Sequence, residues 1–191
     1  MNVLITGGTG LVGKVLTKLL QEKNYTVSYL SRNTQKGSIK TYHWDIDKKQ
    51  IDIEAIAQAD YIIHLAGAGV ADKRWTDSYK KEIIDSRVVS TQLLAEAIDK
   101  SQKKPKAFVS ASAVGFYGFD TKDTLLQENA QKGDGFLAEV TEKWENSIKE
   151  VSKLGLRTAI MRIGIVLAKE GGALQKIMQP IQFFAGSPLG S

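Results

Sequence analysis

Cysteine is absent from the 191-residue chain, which excludes disulfides and thiolate metal sites. A reducing, cytoplasmic setting fits that composition. Histidine is nearly absent too: His43 and His64 stand alone, too few and too isolated for a metal centre. No apolar run approaches the roughly 20 residues that span a bilayer, and no basic segment followed by an apolar core opens the chain. A soluble, unexported protein with no membrane partner is expected. No internal repeat or low-complexity segment interrupts the sequence. The net charge of +5 comes from lysines scattered among acids, as at 14–23, 48–49 and 100–106. Without clustering on one element, a solvated surface is expected rather than a nucleic-acid partner. What is present, 42% apolar and 25% charged residues, is ordinary globular composition for a single good core.

The most informative stretch is Val3-Leu4-Ile5-Thr6-Gly7-Gly8-Thr9-Gly10-Leu11-Val12-Gly13. An apolar β-like segment breaks into spaced glycines and becomes a helical pattern, with Leu11, Val12, Val15, Leu16, Leu19 and Leu20 at helical spacing. Residues 25–30 then read as a second strand. This strand–turn–helix–strand context is what a dinucleotide-binding turn requires. Gly7 suits the tight turn, Gly10 the approach of a pyrophosphate, and Gly13 the close packing of helix on strand. The free N–H groups at the helix start, around Thr9 to Val12, would hold the phosphates. A glycine-rich turn joining strand to helix with no ligand is the competing reading.

Strands are expected at 2–6, 26–31, 40–44, 61–65, 107–112 and 157–166, and helices at 11–23, 53–58, 76–100 and 136–154. Such alternation predicts an α/β fold: a doubly wound parallel (Rossmann) sheet with helices on both faces. Ligands of such sheets lie at the carboxyl ends of the strands where strand order reverses. Residues just after each strand are therefore the candidates.

The second strand ends at Ser31 and Arg32, where an NAD-binding enzyme would carry an acid for the ribose 2′-hydroxyl. Without a carboxylate there, a 2′-phosphate is not repelled, and Arg32 offers it a forked, permanent cation. NADP(H) is thus expected in preference to NAD(H), with Arg32 as a solvated strand-end residue the alternative. Asp45 either accepts from the adenine amino group or caps its own loop, and the sequence leaves that open. Leu65, Ala66 and Gly67 follow the fourth strand, small enough for the backbone to approach the cofactor. His64 reads as a packed strand residue rather than an acid or base.

Together, Gly-Gly-Thr-Gly-Leu-Val-Gly, Leu65-Ala66-Gly67 and Ser110-Ala111-Ser112 resemble the extended short-chain dehydrogenases/reductases. The further runs Ala71-Asp72-Lys73-Arg74-Trp75-Thr76, Asp85-Ser86-Arg87, Lys143-Trp144-Glu145, Arg162-Ile163-Gly164-Ile165-Val166-Leu167 and Gly171-Gly172-Ala173-Leu174 narrow this. They resemble the NAD-dependent epimerase/dehydratase-like branch, family 39U, over essentially the whole chain. The resemblance implies cofactor contacts at Ser31, Arg32, Leu65, Ala66, Glu82, Arg87 and Val166. Glu82 and Arg87 lie five apart on one helix, about 140° around it, and surface charges are the alternative for both.

The superfamily's chemistry implies a tyrosine that carries the proton, a lysine four residues on that lowers its pKa, and a serine that positions the substrate. Ser112 matches the serine. No tyrosine stands four before a lysine in the 136–145 helix; alignment on Glu145 puts Leu137 and Thr141 at those two positions. Loss of a matched proton carrier lowers rates by about 10²- to 10⁴-fold. Tyr117 is the candidate substitute donor, with loop packing as its alternative. Lys143 is a further catalytic candidate, with a solvent-facing helix lysine as its alternative. The resemblance also implies that residues 1–170 form the NADP-binding domain and 171–191 the start of a truncated substrate-binding region. There Ile177, Met178, Ile181, Phe183 and Phe184 would present an apolar face. Two functions are expected to compete. One is hydride transfer on a small polar, nucleotide-sugar-like substrate; the other is a catalytically degenerate NADP(H)-binding sensor. Pairing of two copies through the two long helices is expected by analogy only.

Overall fold

The computed structural model describes residues 1–34 and 37–182, without the side chain of Lys176. The chain runs β1 (Asn2–Thr6), α1 (Leu11–Glu22), β2 (Thr26–Ser31), β3 (Lys40–Asp45), β4 (Gln50–Ile51), α2 (Ile53–Gln58) and β5 (Tyr61–His64). It continues through α3 (Asp77–Lys100), β6 (Ala107–Ala113), a 3₁₀ turn at Val114–Tyr117, α4 (Phe136–Ser152), β7 (Arg157–Ile163), β8 (Leu167–Ala168), β9 (Gly171–Gly172) and α5 (Ala173–Gln182). The main sheet has the order β4-β3-β2-β1-β5-β6-β7, parallel except for the β3–β4 pair. The chain winds outward from β1 to β3, then returns to β5 on the other side of β1. The expected doubly wound α/β sheet is therefore present, with its switch point between β1 and β5.

Burial on both faces explains why the inner strands read as unbroken apolar runs. Leu4 faces Ile62, Phe108, Leu94, Ile98 and Ile148 in the larger core cluster, while Val3 and Ile5 join Val27, Leu16 and Leu20 in the opposite one. On α1, Val15 and Leu19 are left exposed, so the apolar stripe packs only in part. Thr76 caps α3 by accepting the N–H of Tyr79, and Asp77 and Lys100 complement that helix's dipole at its two ends.

Long elements match their expected bounds to within two residues, except β7 and α5, a helix the sequence reading did not include. That strand ends at Ile163 because its partner β6 ends at Ala113, and the pairing Ala113↔Ile163 is the last rung. β5 ends at His64, the partner of Thr6, where β1 itself ends. The expected boundary after residue 170 falls inside the β8–β9 hairpin, which pairs Ala168 with Gly171 across it. Ile177, Met178 and Ile181 are exposed on α5; Phe183, Phe184 and the residues after them lie outside the described residues. Among the described residues no helix is long and apolar enough to cross a membrane.

His64 is wholly buried at the end of β5, packed edge-on to Trp44 and beside Phe108. Its tautomer follows from its neighbours. Thr6 Oγ1 accepts the N–H groups of Leu65 (3.2 Å) and Ala66 (3.1 Å), so its own proton goes to His64 Nδ1 at 2.6 Å. Nε2–H then donates to Ser90 Oγ and Thr91 Oγ1, both at 3.2 Å, and these hydroxyls pass their protons to carbonyls of α3. His64 is a packed, neutral residue, as read from the sequence.

Burial, reinforced by the nearby Arg87 charge, holds the His64 pKa at about 3, down from 6.5. The unfolded chain takes up a proton below pH 6.5 while the folded one resists until about pH 3, so stability is full above 6.5 and declines through that window. Urea denaturation is expected to show a loss of roughly 2–3 kcal/mol from this group between about pH 7.5 and about pH 4.5. His64→Gln, which keeps one donor and one acceptor but does not titrate, should lose that component of the slope; an unchanged slope would refute the assignment.

Candidate functional site

A cavity of about 750 Å³ opens at the switch point, over the carboxyl ends of β1, β2 and β5. Its walls are the Gly7–Gly10 turn, the end of β2 at Ser31 and Arg32, the loop from Leu65 to Gly69, and Tyr79, Glu82 and Ser86 of α3. This is where the sequence placed a dinucleotide, and the size suits one.

The glycines of the turn divide by what constrains them. Gly7 adopts φ +70°, and a Cβ there would stand 2.9 Å from the Leu65 carbonyl and the Ala66 nitrogen. A Cβ on Gly13 would overlap the Gly7 carbonyl, and one on Gly8 would overlap the Tyr29 ring. That ring is fixed by its hydroxyl against Thr17 Oγ1 at 2.8 Å. Gly10 differs: a Cβ there would meet only the Gly7 carbonyl, at 3.2 Å. Packing of the protein itself therefore demands Gly7, Gly8 and Gly13, while Gly10 leaves room facing the cavity. Sequence spacing missed Gly8, whose signal was the aromatic Tyr29 near the end of β2. Gly10 caps α1 with no side-chain hydrogen bond, and no acid sits in the first turn. Thr9 lines the cavity; Leu11 and Val12 open α1 just behind its wall.

At the far end, Arg32 is exposed and pairs with no carboxylate among the described residues, while Ser31 Oγ accepts the N–H of Asn33 at 3.3 Å. Asp45 makes the capping contacts of its own loop. Its carboxylate accepts the Lys48 N–H at 3.0 Å and pairs with Lys48 Nζ at 3.5 Å, bonds that hold its pKa below the usual carboxylate range. It is off the cavity wall, where Trp44, Ile46 and Asp47 stand instead.

Leu65, Ala66 and Gly67 all line the cavity. Glu82 and Arg87 diverge as their angular separation requires. Glu82 is on the wall, ion-paired with Lys73 at 3.3 Å, whereas Arg87 turns inward between α3 and α4. Burial pulls the Arg87 pKa below its ordinary value. Val166 lies off the cavity wall; its carbonyl would be 3.4 Å from a Cβ on Gly172, which would also meet the Leu11 side chain.

The three catalytic candidates are not brought to the cavity. Ser112 is buried and donates to Glu145 Oε1 at 2.6 Å. Tyr117 donates its hydroxyl proton to the Gln127 carbonyl at 3.2 Å and accepts from Arg162 Nη1 at 2.8 Å. Lys143 is exposed on the outer side of α4. Strand alternation is the reason for the first: Ser112 points from β6 toward α4, where Glu145 meets Arg162 in a two-pronged pair at 2.8 Å for both bonds. Arg162 also stacks on Phe116, 3.6 Å from its centroid. Burial would raise the Glu145 pKa, but the Arg162 and Ser112 bonds outweigh it and hold the carboxyl below its ordinary value. Ser112 and Tyr117 therefore belong to a structural clamp joining β6, α4 and β7.

The sequence pattern of the NAD dependent epimerase/dehydratase family matches residues 3–135. The chain belongs to that family. Epimerase family protein YfhF of Bacillus subtilis is 34% identical over 193 residues, a match covering all of this chain and 63% of that protein. The structure of human epimerase family protein SDR39U1 with NADPH has a TM-score of 0.83 and 31% identity, over all of this chain and 63% of the human one. A Corynebacterium glutamicum nucleoside-diphosphate sugar epimerase gives a TM-score of 0.83 at 37% identity, over all of this chain and 39% of its own. The chain spans about 60–63% of the length of the curated relatives it matches.

Truncating Glu145 to alanine strands the Arg162 guanidinium and the Ser112 hydroxyl, both largely shielded from water. A loss of about 3–5 kcal/mol in unfolding free energy is expected, read by urea denaturation. A loss under about 1 kcal/mol would mean the pair is no clamp.

Proposed function

We propose that this chain binds NADP(H) and provides the coenzyme site of an oxidoreductase or epimerase-like protein acting on a small polar, nucleotide-sugar-like substrate. The observation that carries this reading is Gly10. It is the glycine of the turn where a Cβ would meet least, one backbone carbonyl at 3.2 Å, and it faces the cavity at an α1 N-terminus without a side-chain cap. Backbone N–H groups at such a helix start hold phosphates. Leu65, Ala66 and Gly67 form the opposite wall, and Trp44 and Ile46 offer apolar surface beyond β3. Arg32, free of carboxylates at the end of β2, supports the phosphorylated coenzyme over NAD(H), as does the NADPH of the human relative. When bound, the nicotinamide supplies a donor or acceptor of hydride.

A second reading, a coenzyme-binding sensor without turnover, is favoured by one specific observation. Ser112, Tyr117 and Lys143 lie off the cavity, and Thr141 spends its hydroxyl on the Leu137 and Ala138 carbonyls. Oxidation of NADPH by a panel of carbonyl compounds, followed by absorbance, separates the two readings: turnover supports the enzyme, binding without turnover the sensor.

Arg32→Ala is expected to reduce the ratio of NADPH to NADH affinity by roughly 10- to 150-fold, the worth of one charge-assisted bond of about 1.5–3 kcal/mol. Calorimetric titration with each coenzyme measures it, and an unchanged ratio would overturn the NADP(H) assignment. Gly10→Val should keep the fold while losing most affinity for both coenzymes, since branching at that position fills the turn's open side.

A further inference from the structure

The run Ala71-Asp72-Lys73-Arg74-Trp75-Thr76 forms a strap from the loop after β5 to the cap of α3. Both its ends are fastened. Tyr79 donates its hydroxyl proton to the Gly69 carbonyl at 2.5 Å where the strap begins. Where it ends, the Trp75 indole N–H donates back to the Val70 carbonyl at 2.6 Å, and the ring packs edge-on to Phe136. Between these fastenings Lys73 leans over the Tyr79 ring, 4.9 Å from its centroid, and pairs with Glu82 at 3.3 Å.

The strap borders two hollows. One is the large cavity, walled in part by Asp72 and Lys73. The other, of about 340 Å³, is walled by Lys73, Arg74, Thr76, Ser78, Tyr79 and Glu82. Lys73, Ser78, Tyr79 and Glu82 belong to both walls, so the Lys73–Glu82 pair stands where the two hollows meet. The large cavity suits a dinucleotide, whereas the smaller one suits only a small molecule. With the 2′-phosphate at Arg32, the nicotinamide half lies toward the Leu65–Gly69 loop and α3. That is the end the smaller hollow adjoins.

The charge of the smaller hollow points to an anion. Glu82 is the one acid on its wall, and Lys73 already balances it. Arg74 adds a positive charge that no carboxylate pairs with among the described residues. Asp72 and Asp77 are close in sequence, but neither lines this hollow. Thr76 and Ser78 place their hydroxyl oxygens 3.0 Å apart, and that contact uses one of their two protons. We propose that this hollow takes the acidic group, a carboxylate or a phosphate, of a second ligand seated beside the coenzyme. Arg74 supplies a forked donor to it, and Lys73 exchanges Glu82 for it. The subsite rests on the coenzyme reading of the large cavity for its role, though not for its charge.

Malonate and inorganic phosphate are the probes, added at constant ionic strength to the full chain with and without saturating NADPH. The Trp75 indole signal in a ¹H–¹⁵N spectrum, identified by its loss in Trp75→Phe, reports on the strap, and calorimetry gives affinities. With NADPH bound, at least one probe should saturate at millimolar levels and shift that signal. Arg74→Met and Lys73→Met should each weaken the probe about fivefold, the upper range for an exposed charge pair. Arg74→Lys should keep part of the affinity. Glu82→Gln should act the other way and tighten the probe, because Lys73 is released, and damage to the fold would not produce a gain. Neither probe binding the NADPH-loaded protein overturns the subsite. Binding that is equal in Arg74→Met, an adventitious ion only, does so too. A probe that binds only without NADPH has occupied the coenzyme cavity, which overturns the subsite and leaves the coenzyme reading standing. The same variant pattern in a protein that takes up no NADPH sinks the coenzyme reading alone.

Discussion

The hydroxyl of Thr6 ties together the two strands between which the cavity opens. It accepts the first two amides after β5 and donates to the histidine that ends that strand. The turn at Gly7 and the loop at Leu65–Gly67 are thereby fixed against each other, close enough that a Cβ on Gly7 would press on the Leu65–Ala66 peptide. A valine of the same shape would leave the Ala66 amide and an imidazole nitrogen unpaired at the centre of the sheet, while the Leu65 amide would keep the Thr6 carbonyl. The chain Thr6–His64–Ser90/Thr91 carries the constraint on to α3, the helix that supplies the cavity's remaining wall.

That arrangement separates two kinds of glycine that look identical in a motif. Gly7, Gly8 and Gly13 are dictated by contacts inside the protein, and they would be needed in a turn that bound nothing. Gly10 shares the cavity wall with Gly7 and Gly8 but differs in its contacts, since a Cβ there would meet only the Gly7 carbonyl, at 3.2 Å, and it leaves an uncapped helix start accessible. The second kind argues for a ligand, because a site is marked by space the protein keeps without using.

What was legible in the sequence follows the same distinction. Most elements long enough to show a period were read nearly to their ends, including β1, β2 and α2 without error, while α5, which carries Pro180 inside it, was not read as a helix. Two-residue strands such as β4, β8 and β9 have no period to read. The cavity residues of the Gly7–Gly10, Ser31–Arg32 and Leu65–Gly67 segments follow from one rule, that ligands meet strand ends at a switch point. Ser112 and Tyr117 satisfied the same rule by position yet face elsewhere. Their partners, Glu145 and Arg162, lie 33 and 45 residues away. Pairings at that separation leave no local trace, so nothing in the Ser110-Ala111-Ser112 run distinguishes a substrate-facing hydroxyl from one given to a buried carboxylate. Asp45 shows the local kind of partner instead, a bond three residues on to Lys48.

The clamp and the buried Arg87 have one electrostatic consequence between them. Glu145 is the carboxylate adjacent in sequence to Trp144, and Arg162 holds it in two-pronged geometry while Ser112 donates to the same carboxylate. The charge of Arg162 is thus neutralised within the fold, and among the described residues no carboxylate pairs with Arg87. A cation desolvated in this way exerts a stronger field on its surroundings than one in water, and that field falls on Gly67 and the space it borders. Leu137 and Thr141 occupy the aligned places of a proton carrier and its lysine, and the fixed charge beneath Gly67 is the Arg87 guanidinium, whose Cζ would lie 3.0 Å from a Cβ there.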